Sequence, residues 1–467
     1  MRRELRSATA ALAVLAVLLP GGCSFVPKYE RPAAPVPGEF GGAGSAAPPA
    51  SDARPAAELG WRDVLGDPRL AALIELALRT NRDLRIAALN VELSRASYQI
   101  ERANILPTVA AIGSADYNGT RDGVQSLYRV GVGVSAYELD LFGRVRSLSQ
   151  AALEDYLATE EAQRSAHIAL IAEIASQFLN ERAADEQRAL AEQTLEVVGK
   201  AVELTRTLVE AGQRSDLDTS TAEAQLATAR AALAQAKRQR AQAENALILL
   251  VGQPLPASLP PPVPLDATAL RADLPAGLPS ELLQRRPDIL AAEHDLKAAN
   301  ASIGAARAAF FPSISLTGFA GLASAALGSL VSGGALAWSF SPQIRMPLFT
   351  GGRNRASLEV AQVRKRIEIA RYEKAIQAAF REVSDALMAR GFYDEQLEAQ
   401  IARVAAEQRR FDISESRYRS GIESYLVVLS AQQDLFTAQQ QLIQLRLARL
   451  TNVVALYRAL GGGWIER

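Results

Sequence analysis

The chain has little of what most chemistry requires. Its 467 residues include one cysteine, two histidines and three methionines, and only 6% are aromatic. One cysteine excludes an internal disulfide. With two histidines added, it is still too few for a nitrogen–sulfur metal cluster or a Cys-His nucleophilic centre. His167 and His294 both fall inside long helical patterns and read as helix-surface or interhelix residues. Asp and Glu are plentiful but scattered at helical spacing, so they neither support nor exclude an acid-base pair. The segment from Gly321 to Gly334 is glycine-rich, but it lacks a lysine and joins two strand patterns, so it reads as a loop and not a phosphate cradle. Excess charge is also missing: 51 Lys and Arg balance 51 Asp and Glu. A neutral chain has no overall pull toward nucleic acid. The expectation is a protein that is not an enzyme, with no metal, no nucleic-acid partner and no dissociable cofactor.

What is present begins at the N-terminus. Arg2, Arg3 and Arg6 precede an apolar run from Ala10 to Leu19, followed by Gly21, Gly22 and the lone Cys23. The run is too short to span a membrane and has the layout of a secretory signal over residues 1–22. Cys23 stands where a lipoprotein signal peptidase would cut, although the residue three before it is Pro20 where the usual motif has Leu. The expected modification is a covalent lipid on Cys23, palmitate-type acylation that anchors without spanning. Ser24 resembles the address of an outer-membrane lipoprotein. Residues 23–60, rich in Pro, Ala and Gly, read as an extended tether with little fixed structure.

The rest of the chain repeats itself. Arg102-Ala103 leads to Pro107, and Arg307-Ala308 leads to Pro312, 205 positions on. Asp83 and Asp288 keep that offset. Gly212 to Ser215 aligns with Gly421 to Ser424 at an offset of 209. A period this long is no solenoid unit; it predicts two similar halves, residues 61–253 and 280–462. A Pro-rich linker, 254–279, lies between them, and a short tail, 463–467, follows. Each half reads as helix, two strands, very long helix, turn and returning helix.

From Arg144 to Gln213 there is no proline. At 1.5 Å per residue that is a helix of about 100 Å. Arg353 to Arg419 repeats it, with Ile376, Phe380, Val383 and Leu387 at helical spacing. These apolar stripes read as packing, and their length reads as coiled coil. The strands fall at about 108–117, 128–139, 313–322 and 335–346, joined in pairs by loops at 118–127 and 323–334. Val130, Val132, Val134 and Ala136 share one predicted face, against Arg129, Gly131, Gly133, Ser135 and Tyr137. Leu336, Trp338 and Phe340 oppose Ala335, Ala337 and Ser339. Apolar residues alternating with small or polar ones over about ten positions fit an outer-membrane barrel as well as a half-buried soluble sheet. Four such strands behind an export signal favour the barrel, with Tyr128, Trp338 and Phe340 at the lipid interface.

Four strands cannot close. Open edges in lipid leave backbone groups unpaired, and eight strands is the practical minimum for a barrel. Three copies give twelve strands and close by cyclic symmetry. The predicted fold is mainly α with a small β part. Long helical hairpins, continuous with the strands, form a second tube below the membrane, each chain adds four strands to a trimeric 12-stranded barrel, and each chain holds two structural repeats.

Several passages then resemble one family. These are Val26-Pro27-Lys28-Tyr29-Glu30-Arg31-Pro32 after the cysteine, Trp61-Arg62-Asp63 through Asn81-Arg82-Asp83-Leu84, and Arg285-Arg286-Pro287-Asp288 with Ala308-Ala309-Phe310-Phe311-Pro312. Tyr418-Arg419-Ser420-Gly421 with Tyr425-Leu426 and Ala431-Gln432-Gln433 completes the match. Together they resemble outer membrane factors of the TolC/OprM type, the lipoprotein, NodT-like subgroup that serves resistance-nodulation-division (RND) efflux pumps. The resemblance makes the helical tube a periplasmic tunnel and implies a homotrimer in outer-membrane lipid, extending into the periplasm of a Gram-negative bacterium. It also implies a periplasmic adaptor and an inner-membrane RND transporter as partners, with this chain as a passive, gated duct for small compounds. Two other readings are the exit channel of a type I protein-secretion system and a structural periplasmic tether.

The turns far from the membrane are the candidate site. Gly212 and Gly421 read as helix C-caps, Ser215 and Ser424 as N-caps, and Asp218 as the capping-box partner of Ser215. The resemblance implies that these turns dock the adaptor and that a leucine one helical turn before an aspartate narrows the pore. The leucine matches Leu426. The aspartate position holds Ser430, so an acidic ring is not expected there, and Asp216 and Asp218 are the candidates to supply negative charge instead.

Overall fold

The computed structural model describes residues 24–40, 59–121, 123–213, 215–271, 274, 279–331 and 334–462. The signal segment, Cys23, the 463–467 tail and parts of the tether and linker lie outside these residues. Among the described residues there are nine α-helices and one four-stranded sheet: α1 Trp61–Val64, α2 Pro68–Thr80, α3 Arg82–Ala103, β1 Val109–Thr120, β2 Gly123–Leu139, α4 Arg144–Glu210, α5 Asp216–Val251, α6 Pro279–Arg285, α7 Pro287–Ala308, β3 Ser313–Ser324, β4 Leu336–Arg345, α8 Arg353–Arg419 and α9 Tyr425–Ala459. The protein is mostly helical, with a small antiparallel sheet. None of the described helices is long and apolar enough to cross a membrane.

The chain divides into two compact units. One holds the sheet, with the N-terminal segment to Ala34, Leu89–Glu161 and Leu290–Lys374. The other holds Pro35–Ala88, Ala162–Ile289 and Ala375–Arg467.

In the first unit the sheet order is β1-β2-β3-β4, all antiparallel. Strands β1 and β2 pair out to Thr120 opposite Gly123, so the expected 118–127 loop is mostly ladder. The register puts Val109, Val130, Val132, Val134, Ile314, Leu316, Leu336, Trp338, Phe340 and Ile344 on one face. Ser313, Ser315, Thr317, Ser339, Gln343 and Arg129 take the other. The predicted alternation fails at one place. Between Val134 and Tyr137, β2 gains a residue relative to β3, and Ala136 sits at φ 50°. This bulge reverses the parity, so Tyr137, not Ala136, joins the valine face. Glycine on the opposite face lets strands approach closely: a Cβ on Gly131 would lie 2.4 Å from the Ala320 carbonyl oxygen. The outer edges of β1 and β4 have no strand partner among the described residues.

The N-terminal segment is not the loose tether expected over its described part. Phe25 stacks on Phe311 and Phe142, at ring distances of 4.5 and 6.3 Å. The Asn300 amide donates to the Pro27 carbonyl at 2.8 Å. Arg31 donates to both oxygens of Glu293, at 3.0 and 2.7 Å, and the Tyr29 hydroxyl donates to the same carboxylate at 3.1 Å. Aromatic stacking and a forked ion pair therefore hold what composition alone reads as linker.

In the second unit, α2 starts at Pro68, where a missing N–H is harmless, and the Asp67 side chain accepts from Leu70 N–H at 2.9 Å. Its buried stripe is Leu70, Leu73, Ile74 and Ala77. Asn81 then caps α3 by accepting from Leu84 N–H, and donates to the Leu250 carbonyl at the end of α5. The repeat reproduces this knot with different chemistry. Buried Arg286, at the start of α7, donates to the Ala459 carbonyl at the end of α9 and pairs with Asp288 and Glu382.

Candidate functional site

The two long-helix turns are built alike. In the first, Gly212 N–H donates to Val209 O and Gln213 N–H to Leu208 O, both at 2.9 Å, with Gly212 at φ 69°. In the second, Gly421 N–H donates to Tyr418 O at 3.0 Å and Ile422 N–H to Arg417 O at 2.9 Å, with Gly421 at φ 75°. Both are Schellman motifs, which explains glycine at each position. The caps differ. The Asp218 carboxylate accepts from the Ser215 N–H at 3.3 Å and its hydroxyl at 3.4 Å, so Asp218 is engaged within its own turn. The Ser424 side chain makes no cap bond. The second turn is instead braced by Arg417 on Glu423, at 3.1 Å. Asp216 is exposed at the first position of α5 and complements the helix dipole there.

Above the turns, α4, α5, α8 and α9 close over a small core of Val202, Ala222, Tyr418, Tyr425, Val428 and Leu429. The Tyr418 and Tyr425 rings lie 5.5 Å apart. Burial, chiefly, pushes the Tyr425 hydroxyl above its ordinary pKa, so it stays neutral at physiological pH. Tyr418 and Tyr425 both belong to the sequence match, but their pairing was not read from it.

Leu426, next along from buried Tyr425, is 68% exposed. Leu217, 209 positions earlier and also second in its helix, is 75% exposed. The repeat offset alone was enough to find Leu217. The structure thus presents one exposed leucine per turn.

Ser430 lies one helical turn beyond Leu426. Its hydroxyl accepts from Arg410 at 3.3 Å. Asp434, a further turn along, bonds the same guanidinium at 2.7 Å, and Glu407 does so at 3.1 Å. The hydrogen bond to Asp434, first, and that to Glu407 raise the Arg410 pKa. The carboxylate missing at position 430 is therefore present at 434, paired with a cation. The spacing of four from Ser430 was the available signal. Among the described residues, no three or more His, Cys, Asp or Glu side chains come together as a metal site.

An antiparallel sheet with an apolar outer face and unpaired edges, carried with long paired helices that turn at glycine caps, defines a channel-forming class of membrane protein. The sequence comparisons specify the family. A family profile described as outer membrane efflux protein matches residues 73–253 and 278–462. The chain is 50% identical over 465 residues to the toluene efflux pump outer membrane protein TtgC of Pseudomonas putida, covering 98% of this chain and 96% of that one. It is equally similar, over the same extent, to the antibiotic efflux pump outer membrane protein ArpC of Pseudomonas putida. The crystal structure of the open state of the Neisseria gonorrhoeae MtrE outer membrane channel superposes with a TM-score of 0.86 and 43% identity, covering 95% of this chain and 99% of that one. This chain belongs to the outer membrane efflux protein family.

Proposed function

We infer that the chain is the outer-membrane channel component of an efflux pump, a passive duct for small compounds that include antibiotics or aromatic solvents. The observation that carries this reading is the sheet. It has one apolar, exposed face with Leu336 82% and Trp338 78% exposed, an opposite face rich in small and polar residues, and two edges without a strand partner among the described residues. Such a sheet is stable in lipid only when copies close it, and its polar face then lines water. Three copies make a twelve-stranded barrel, and the hairpins of α4–α5 and α8–α9 make the tunnel. Membership of the family and the names of its 50%-identical relatives support transport by an outer-membrane component. A periplasmic adaptor docks at the Gly212–Ser215 and Gly421–Ser424 turns, and an inner-membrane RND transporter supplies the drive. A lipid on Cys23 holds the N-terminus at the outer membrane, and the intact mass of the mature chain tests it.

Leu426 is the constriction. It is apolar, at the turn and two-thirds exposed among the described residues. Single-channel conductance of the purified protein in planar bilayers tests both levels. Discrete openings are expected, with larger conductance in Leu426→Ala. Equal conductance in the two removes Leu426 from the gate, and the absence of any conductance in both, in protein whose mass is that of a single chain, removes the channel reading.

A further inference from the structure

A cleft of about 310 Å³ lies among α4, α5 and α9, set back from the two turns. It is lined by Gln225, Gln432, Gln433, Thr228, Thr437 and Phe436, with alanines between them and no charged side chain. Its volume is at the lower end of small-molecule sites. Three observations say what would fit. The Thr228 and Thr437 hydroxyls donate to their own helix carbonyls, Ala224 O and Gln433 O, and so have lone pairs, not protons, left to offer. Gln433 donates to the Gln225 side-chain oxygen at 3.3 Å, which joins the two hairpins across the cleft. Gln432 is 7% exposed, and its amide nitrogen has no hydrogen-bond partner among the described residues. A buried, unpaired amide donor is destabilising, and an acceptor would relieve it. A half-turn about the last torsion of Gln432 exchanges its amide nitrogen and oxygen, which turns the donor from one side of the slot to the other.

We propose that this cleft is a binding site for a small neutral molecule with a flat apolar ring and an amide group, the ring against Phe436, the carbonyl on the Gln432 amide and the N–H toward the free lone pairs of the threonines. An ionised ligand is disfavoured, because the lining offers no counter-charge to offset its desolvation. The bound molecule touches both hairpins. The site is independent of the constriction at Leu426.

The test uses the full-length protein in detergent and titrates benzamide by saturation-transfer NMR, with benzoate as the charged isostere. Benzamide should bind at one site per chain, and benzoate at least about tenfold more weakly. Gln432→Leu should weaken benzamide by about tenfold without lowering the melting temperature, since it removes an unsatisfied donor. Ala232→Phe, which fills the cleft, should abolish binding while circular dichroism and oligomer mass stay unchanged. Failure of benzamide to bind up to its solubility limit overturns the proposal. So does equal binding to Ala232→Phe, which would mean partition into detergent, or equal binding of benzoate. Should Gln432→Leu fail to fold, the Ala232→Phe comparison decides alone.

Discussion

At the scale of single residues, charge pairing decides more than residue type. Glu293 is almost buried, and burial alone would raise its pKa. Hydrogen bonds from Arg31 and Tyr29, with the nearby charge of Lys297, outweigh that and hold its carboxyl below the ordinary glutamate value. A depressed carboxylate gives stability that is complete above its unfolded pKa of about 4.3 and is lost as pH falls through the lower folded value. Arg31 is half-exposed, so solvent screening limits the pair to about 1 kcal/mol. The melting-temperature difference between the native protein and Arg31→Ala should be constant from pH 8 to 5, shrink as pH falls below about 4.3, and vanish only below the folded value. A constant difference throughout would refute the ion pair. Arg410 poses the second residue question. It neutralises Asp434 and Glu407 beside Ser430, so Arg410→Ala should free negative charge and shift the reversal potential in a salt gradient toward cation selectivity. An unchanged potential would place these groups away from the conducting path. The glycine caps and the Ser215–Asp218 cap were legible in the sequence because capping is local chemistry. The Arg410–Asp434 pair was not, because it joins two helices whose register only packing sets.

At the scale of elements, the long helices and four strands were legible from period alone. The bulge at Ser135–Ala136 was not: it is one extra residue, and only the pairing with β3 reveals it. The valine run ending at Val134 gives no sign of the change of parity. The N-terminal segment was misread for a related reason. Its composition is that of a linker, yet Phe25 and Arg31 find partners that are hundreds of positions away in sequence. Close strand approach gives the element-scale prediction. A methyl on Gly131 meets the backbone of β3 at 2.4 Å from Ala320 O and 2.7 Å from Gly321 Cα, and backbone cannot rotate aside as a side chain can. Gly131→Ala should cost at least about 1–3 kcal/mol of strand pairing. Loss of the heat-modifiable band on semi-native gels, with helical circular dichroism retained, would confirm that the sheet fails while the helices persist. A band like that of the native protein would show that the sheet flattens to admit the methyl.

At the scale of the whole molecule, the decisive features are faces that a single chain leaves uncovered. The sheet edges are one. The other is a helical stripe on α3, where Ile86, Leu89, Leu93 and Ile100 are all exposed at spacings of three, four and seven. On α8, Val360, Val363 and Ile367 follow the same spacing and are also exposed. Stripes with this period pack as knobs into holes against another helix, and the threefold closure proposed for the sheet brings a second copy to each chain. An apolar stripe facing solvent would cost about 25 cal/mol for each Å² left unburied, which is reason enough for a partner. Leu93 is at the centre of the α3 stripe. Leu93→Glu puts a charge where the neighbouring copy would pack, while within its own chain the residue is already exposed. Monomer folding should therefore survive and assembly should weaken: helical circular dichroism unchanged, and mass by light scattering falling from three chains toward one as detergent-solubilised protein is diluted. A trimer as stable as the native one would mean that the sheet edges alone hold the copies together. Unfolding of the chain would mean that the stripe is covered from within, contrary to its exposure.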